Sequence, residues 1–280
     1  MHMLPCPDAY RSPFRHPDGS YDWRAELDYG WSLVDAASCG ALCAVILEPI
    51  LSSGGMITLP AGYMRAMKAH CEQRGMLLVV DEAQTAMGRC GDLFAIEHEG
   101  VVPDVLTLSK TLGNGLPLSA VMTSDRIAAV AREKGFMFYT THANDPLPAA
   151  VGLKVLQIVL RDERAVVRRA AAAGKVLHEG LRRLMGRYAC IGDVRGRGLM
   201  AGVEIVQDRR VSKGPAIELG RRLSAKMMEM GLSATISARS YFSGCLRIAP
   251  PLVVTDKQLE EGLAILEEAF RVTEGSLPLY

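Results

Sequence analysis

Two stretches, MLLVVDEAQTAMGR (Met76–Arg89) and PDVLTLSKTLGNGLPLSAV (Pro103–Val121), decide the fold of this chain. In the first, an apolar run leads directly into Asp81. In the second, a shorter apolar run leads into Lys110, which stands among glycines. Continuous apolar runs of this kind are typical of buried strands in parallel sheets, and ligands bind outside the carboxyl ends of such strands. The two stretches therefore predict an acid and an amine at neighbouring strand ends in an active site.

The same two stretches resemble the cofactor core of class III, fold-type-I enzymes that depend on pyridoxal 5'-phosphate (PLP). The resemblance implies that Asp81 is the carboxylate under the pyridine nitrogen and that Lys110 binds the cofactor covalently. A nearby carboxylate favours the protonated ring nitrogen, which strengthens the ring as an electron sink. Gly113 and Gly115 let the backbone approach the ring closely. The simpler alternative is that Asp81 caps a helix and Lys110 lies on the surface.

Composition limits the classes to which the chain can belong. With 280 residues, 49% of them hydrophobic, one large or two ordinary domains are expected. The net charge of +1 favours neither nucleic acid nor an anionic membrane as a partner. No apolar run approaches the roughly 20 residues that span a bilayer, and we expect no signal peptide. The seven cysteines form no CxxC pair, so we expect reduced thiols in a cytoplasmic protein.

The first half of the chain alternates between predicted strands and predicted helices. The predicted strands are 43–49, 76–80, 106–108 and 120–123, and the predicted helices are 23–38, 60–74 and 125–134. This alternation favours an α/β fold with a mostly parallel sheet flanked by helices, as in fold-type-I PLP enzymes. Glu48, Asp81, Lys110 and Thr141 would then lie at or just past strand ends, where ligands bind.

Four regions are expected along the chain. They are an irregular entry segment (1–22), a partial PLP-binding large domain (23–160), a connecting helix (161–186) and a small C-terminal α+β domain (187–280). The last region is expected to contain strands at 190–196, 200–206 and 245–251, with helices near 215–230 and 256–270. Its glycine-rich stretch GDVRGRGLMAG has no GxGxxG pattern. We interpret it as a tight turn between strands rather than a phosphate-binding loop.

Within the PLP class, the chain resembles 2,2-dialkylglycine decarboxylases. The resemblance lies in EPILSSGG (48–55), YTTHANDPLPAAVGL (139–153) and IGDVRGRGL (191–199). Those enzymes decarboxylate a dialkylglycine such as 2-aminoisobutyrate and then transaminate pyruvate to alanine. The implied partners are therefore a small amino acid and a 2-oxo acid.

Ser53 is the most diagnostic residue of this resemblance. The 4-aminobutyrate and ornithine aminotransferases usually carry a glutamate at this place, where it pairs with the arginine that matches Arg247. With Ser53 instead, Arg247 would stay free to hold an α-carboxylate through a bidentate contact. The simpler interpretation is that Ser53 is only a turn residue in the sequence SSGG.

The resemblance implies further roles. Gln84 would donate a hydrogen bond to the phenolic oxygen of the ring, and Ala83 would pack against one ring face. Thr141 would reach the cofactor phosphate of a neighbouring subunit, which implies a homodimer with shared active sites. Thr141, the Ala143 carbonyl and Asp145 resemble an alkali-metal site for potassium or sodium. Asp145 could equally cap the helix that begins after it.

Full-length members of the family are expected to carry roughly a further third of chain before this start. That part would supply a phosphate-binding helix start, an aromatic residue stacked on the ring, and a glutamine near the scissile carboxylate. Three functions therefore stay open: a decarboxylating transaminase, an ordinary class III aminotransferase of the 4-aminobutyrate or ornithine type, and a truncated paralogue that is inactive or depends on a partner.

Overall fold

The computed structural model of the protein describes residues 1–236 and 244–274. The helices in this part are α1 (Trp23–Ala37), α2 (Tyr63–Gln73), α3 (Asp125–Glu133), α4 (Pro146–Arg187), α5 (Ile217–Glu229) and α6 (Asp256–Glu274). The strands are β1 (Ala44–Leu47), β2 (Ile50–Leu51), β3 (Ile57–Thr58), β4 (Leu77–Asp81), β5 (Val105–Leu108), β6 (Ala120–Thr123), β7 (Ile191–Arg197), β8 (Met200–Ile205), β9 (Thr235–Ile236) and β10 (Cys245–Ile248). None of these helices is both long and apolar enough to cross a membrane.

The first sheet carries the two polar strand ends. Its order is β1-β4-β5-β6; β1 and β5 run parallel to β4, whereas β6 runs antiparallel to β5. The mostly parallel α/β fold is therefore confirmed. β6 departs from the expected parallel direction because the connection from β5, residues 109–119, contains no crossover helix of the kind that a parallel connection needs. Thr141 does not end a strand, since residues 136–140 form none.

One face of this sheet builds a core. Along β4 and β5 every second side chain is buried, as the period of two in a strand requires, with Leu78, Val80 and Leu106 among them. Helices α1 and α2 cover this face with side chains such as Trp31 and Met67. This packing fixes the direction of β4 and β5, and with it the edge at which the polar groups emerge.

The opposite face is only partly covered by the described residues. The strand register aligns Asp81 of β4 with Thr107 of β5 and Val121 of β6, and aligns Ile46 of β1 with Val79 on the same face. Val79 is half-buried, but Ile46 is 65% exposed and Val121 is 69% exposed. The face that carries Asp81 is therefore apolar and open at both edge strands.

The second sheet lies in the C-terminal part, with strand order β7-β8-β10-β9 and antiparallel pairs throughout. All six residues of β8 are buried. Leu181 of α4, Leu223 of α5 and Phe270 of α6 join its core. The strands and helices expected after residue 187 are found within a few residues of their predicted bounds; residues 237–243 lie outside the described part.

Helix α4 runs along both cores and is interrupted once. Arg161 has an extended ψ of 161°, and the next three residues have positive φ. This break falls at the boundary that we propose between the large domain and the connecting helix.

The two cores meet where the turn between β7 and β8 packs against α4. A Cβ added to Gly198 in this turn would lie 2.5 Å from Cys90, and one added to Gly174 of α4 would lie 2.5 Å from Gly198. Glycine is needed at both positions because a side chain would separate the backbones. The expected tight turn is thus also a packing junction between the two cores.

Candidate active site

Asp81 ends β4 with its carboxylate held in one orientation. Oδ1 accepts hydrogen bonds from the Ala83 backbone N–H at 2.9 Å and from the Thr107 hydroxyl at 3.0 Å. In the described part of the chain no group binds Oδ2. The residues after Asp81 form turns rather than a helix, so the alternative that Asp81 caps a helix is wrong.

Lys110 follows β5 and begins a 3₁₀ turn, Lys110–Gly113. Its φ is +47°, a left-handed conformation that costs a residue with a side chain about 1–2 kcal/mol. Strain of this kind persists only where the surroundings impose it, and it clusters at functional sites. The side chain is exposed, yet it lines a cleft. Lys110 thus lies at the surface, as the simpler alternative expects, but at the wall of a cleft, and its bond to the cofactor stays a prediction.

The cleft has a volume of about 160 Å³ and lies between the two sheets. Ala83, Gln84 and Lys110 line it from the first sheet, and Arg247 of β10 lines it from the second. Arg89 also lines it; its guanidinium donates to backbone carbonyls of the second core. The structure thus brings four of the predicted site residues to one cleft, with Asp81 beside it.

A chain of hydrogen bonds crosses the floor of this site. Arg247 Nη2 donates to Gln84 Oε1 at 3.1 Å, and Gln84 Nε2 donates to the Ser52 hydroxyl. The Ser52 hydroxyl lies 2.8 Å from Glu48 Oε2. Sequence reasoning left Glu48 without a role and missed Ser52, because it selected the neighbouring Ser53. The only signal was the spacing of Ser52 four residues after Glu48, across the turn into the β2–β3 hairpin.

The surroundings of Glu48 shift the pKa of its carboxyl upward. Burial raises the pKa of the Glu48 carboxyl above its ordinary value, and the hydrogen bonds from Ser52 oppose that rise. The Asp81 carboxylate raises the Glu48 pKa further, whereas the Lys110 ammonium lowers it. Glu48 therefore lies within electrostatic reach of both groups that define the site.

Four other predicted residues lie away from the cleft. Ser53 is exposed and does not line it. Thr141 and Ala143 are exposed on the segment before α4, and Asp145 is half-buried there. Asp145 occupies the N-cap position of α4 without a capping hydrogen bond from its side chain, and His142 Nδ1 lies 3.6 Å from its carboxylate. The metal and inter-subunit roles stay predictions.

The residues around the cleft fit PLP. Lys110 offers an exposed primary amine for the aldehyde, and Asp81 offers a carboxylate oxygen to which no group among residues 1–236 and 244–274 donates. The amide nitrogen of Gln84 has two hydrogens; within the same residues one of them is used, on Ser52. Ala83 gives a small apolar side chain at the cleft wall.

This fold and this pairing of amine and carboxylate are those of fold-type-I PLP-dependent proteins. Residues 2–270 match the model of the family described as Aminotransferase class-III, and the chain belongs to that family. Family membership implies PLP as the cofactor. The resemblance seen in the sequence is thereby confirmed at the level of the family, but the finer likeness to decarboxylases is not.

Individual relatives agree. The chain is 47% identical over 272 residues to an uncharacterised aminotransferase of Schizosaccharomyces pombe, covering 97% of this chain and 60% of the relative. It is 36% identical over 229 residues to a 5-aminovalerate aminotransferase of Pseudomonas aeruginosa, covering 82% and 52%. A PLP-bound amine transaminase from an uncultivated Pseudomonas species has a TM-score of 0.84 at 29% identity, covering 97% and 62%. The chain thus spans about 60% or less of the length of these proteins.

Proposed function

We propose that the protein decarboxylates 2,2-dialkylglycines and transfers their amino group to pyruvate, with PLP as cofactor. The proposal rests on the position of Arg247 and on the groups around it. Its guanidinium lines the cleft, and in the described part of the chain no carboxylate pairs with it. Ser53, where the aminotransferases of the 4-aminobutyrate type have a glutamate, cannot supply a negative charge. Arg247 is therefore available to a substrate carboxylate.

Each residue of the cleft has a role in this proposal. PLP, when bound, supplies an electron sink for the bond that breaks at the substrate α-carbon. Lys110 Nζ holds the cofactor between turnovers and moves protons at the reacting carbon. Asp81 Oδ2 keeps the ring nitrogen protonated. Gln84 donates its second amide hydrogen to the phenolic oxygen, and Ala83 packs against the ring.

The choice of reaction depends on which bond at the substrate α-carbon breaks when PLP supplies its electron sink. A dialkylglycine has no α-hydrogen, so only loss of the carboxylate is open to it. Arg247 would hold the carboxylate of alanine while the α-hydrogen is removed. It should matter less for a dialkylglycine, whose carboxylate is the group that leaves.

Arg247→Ala tests this division of labour. We expect transamination of alanine to fall about a hundredfold in kcat/KM, because a charge-assisted contact is lost. Carbon dioxide release from 2-aminoisobutyrate should fall much less. Arg247→Lys keeps the positive charge but lacks the planar pair of N–H donors of the guanidinium, so its loss of kcat/KM should be intermediate. Equal losses in the carbon dioxide and pyruvate assays would refute the proposal.

An ordinary class III aminotransferase is the second candidate. It is favoured by a relative whose name gives 5-aminovalerate, an ω-amino acid, as its substrate. Amino transfer from 5-aminovalerate or 4-aminobutyrate without any carbon dioxide from 2-aminoisobutyrate would select this candidate over the decarboxylase.

We further propose a homodimer in which Thr141 reaches the site of the second copy. The segment Phe136–Tyr139, which ends two residues before it, consists of four large apolar residues that are all strongly exposed. Such a continuous apolar patch marks an interaction site. Light scattering should give twice the chain mass. A strict monomer that still binds PLP tightly would contradict the dimer.

An alkali-metal site and a cytoplasmic location complete this proposal. Thr141, the Ala143 carbonyl and Asp145 offer only oxygen ligands, which suit potassium or sodium; replacing potassium by tetramethylammonium should lower activity. All seven cysteines are free thiols, as is usual in reducing compartments. Localisation of a tagged protein checks the second point.

A partner-dependent paralogue is the third candidate. It is favoured by the open apolar face that carries Asp81, with Ile46 and Val121 largely exposed. A second polypeptide that covers this face would complete the site. A visible absorption band from bound PLP that appears only after the unmatched part of the fission-yeast relative is added would select this candidate.

A further inference from the structure

Ser52 is the only member of the hydrogen-bonded chain that is fully buried, with an exposed fraction of 0%. Its backbone N–H and its hydroxyl both point at Glu48 Oε2, at 3.4 and 2.8 Å. Such a local bond fixes the χ1 rotamer of the serine. The hydroxyl oxygen is thereby left in one position, facing Gln84.

The donors and acceptors of this chain agree with one another. A guanidinium can only donate, so the oxygen of the Gln84 amide faces Arg247 and its nitrogen faces Ser52. The Ser52 hydroxyl accepts from that nitrogen and gives its single hydrogen to the Glu48 carboxyl. Ser52 thus supplies the acceptor that the nitrogen end of the Gln84 amide needs in this orientation.

This orientation matters on the other side of the cleft. If the Gln84 amide were reversed, its NH₂ group would meet the Arg247 guanidinium, donor against donor. Among the residues that the structure describes, the Nε of Arg247 is buried and has no hydrogen-bond partner, so the bond to Gln84 is the one that orients its side chain there. Linked hydrogen bonds polarise one another in a medium of low dielectric constant. Glu48 and Ser52 therefore act on the arginine through Gln84.

We propose that Ser52 is a positioning residue that holds Gln84 and, through it, Arg247 in the geometry that binds the carboxylate of the substrate. This inference rests on the proposed function of Arg247 as the carboxylate site. It predicts that Ser52 acts on substrate affinity rather than on the chemistry at Lys110. The hydroxyl, and not the volume of the side chain, should matter.

Steady-state kinetics of the PLP-loaded protein provide the first test. Ser52→Ala should raise KM for both alanine and pyruvate about fivefold to tenfold, the effect of one such hydrogen bond, with kcat changed less than twofold. Ser52→Cys keeps the shape but accepts poorly, so it should behave like Ser52→Ala. Ser224→Ala is the matched control, since it also deletes a hydroxyl bond, to the Ala234 carbonyl, outside the cleft.

Coupling to Arg247 separates a positioning role from a merely structural one. In an Arg247→Ala background, Ser52→Ala should add no further rise in KM, because the residue on which it acts is gone. A rise of the same size as in the unmodified protein would overturn the proposal. An unchanged KM in Ser52→Ala alone would also overturn the proposal. If that variant still turns over substrate, the proposed function itself stands.

A third measurement does not depend on turnover. In the cofactor-free protein, the Gln84 side-chain amide signal in a ¹⁵N NMR spectrum, assigned by its loss in Gln84→Glu, should shift in Ser52→Ala and stay in place in Ser224→Ala. An unmoved signal would overturn the role of Ser52. If the signal moves but the wild-type protein releases neither carbon dioxide nor amino group, Ser52 holds Gln84 and the proposed function is the part that fails.

Discussion

At Lys110 the backbone itself carries information about function. The residue adopts φ +47° in the turn after β5, although a glycine would do so without strain. Ser109 before it is extended, and Asn114 after the turn is again left-handed. The chain thus bends sharply to bring an amine into the cleft. A residue placed for stability alone would not be a lysine.

Replacing Lys110 by glycine or alanine separates strain from chemistry. Both variants should lose the visible band of bound PLP and all turnover, because both lack the amine. The free energy of unfolding should be about 1 kcal/mol higher for Lys110→Gly than for Lys110→Ala, because alanine keeps the left-handed strain. Urea unfolding measures the difference. Borohydride reduction of the wild-type protein followed by peptide mapping should label Lys110; a label on another lysine would refute the assignment.

The sequence was sufficient to predict Asp81 and Lys110 at neighbouring strand ends, because an apolar run that stops at a polar residue marks the strand end directly. It was not sufficient to choose between Ser52 and Ser53. Both serines lie in the turn between β2 and β3, and the pairing of Ile50 with Thr58 in these strands sets how that turn stands and which serine is buried. That pairing depends on contacts distant in sequence, so the choice needed the structure.

Among the elements, helix α4 and the β7–β8 turn depend on each other. The sequence predicts both the helix and the turn, but not their contact, since Gly174 and Gly198 carry no side chains whose pattern could reveal it. The same limit applies to β6. Its apolar composition predicts a strand, whereas its direction depends on the length of the returning turn.

Gly174→Ala tests the junction, with Gly186→Ala in the same helix as its control. A Cβ at Gly174 would lie 2.5 Å from Gly198, while one at Gly186 meets nothing within 4 Å. Overpacking should lower the free energy of unfolding by about 1–3 kcal/mol for Gly174→Ala. Gly186→Ala should raise it by up to about 1 kcal/mol, the helix preference for alanine. A stabilising Gly174→Ala would mean that the junction is looser than described.

His178 makes the stability of this junction depend on pH. It is a buried residue of α4; burial, followed by the positive charge of Arg182, lowers its pKa below the ordinary 6.5. Below pH 6.5 the unfolded chain therefore binds a proton that the folded chain resists. The stabilisation is fully present above pH 6.5 and is lost as the pH falls through the folded pKa.

The substitution His178→Gln removes this titration. Between pH 7.5 and pH 5 the free energy of unfolding should fall more in the wild-type protein than in His178→Gln, by up to 1.36 kcal/mol per pH unit over the titration window, or about ten-fold in the unfolding constant. Above pH 7.5 the two curves should run parallel. Equal slopes at acid pH would rule out His178 as the source.

At the scale of the whole molecule, the first sheet is covered on one face and open on the other. Helices α1 and α2 and part of α4 pack against the covered face. The open face carries Asp81 and ends in the two edge strands β1 and β6, with Ile46 and Val121 largely exposed. Sequence alone does not reveal this, because β1 and β6 are as apolar as buried strands.

The last prediction compares two valines of the same sheet, Val80 on the covered face and Val121 on the open one. Val80 is 0% exposed, so Val80→Thr should lower the free energy of unfolding by about 1–3 kcal/mol, the cost of burying a hydroxyl. Val121 is 69% exposed, so Val121→Thr should change it by less than about 0.5 kcal/mol. Urea unfolding of the 280-residue chain at low concentration gives both values. If Val121→Thr costs as much as Val80→Thr, and the cost disappears on dilution, a second copy already covers the face that carries Asp81. If the cost appears only after the unmatched part of a longer relative is added, the partner-dependent candidate gains a direct physical basis, because the covering polypeptide then packs on the row that contains the carboxylate.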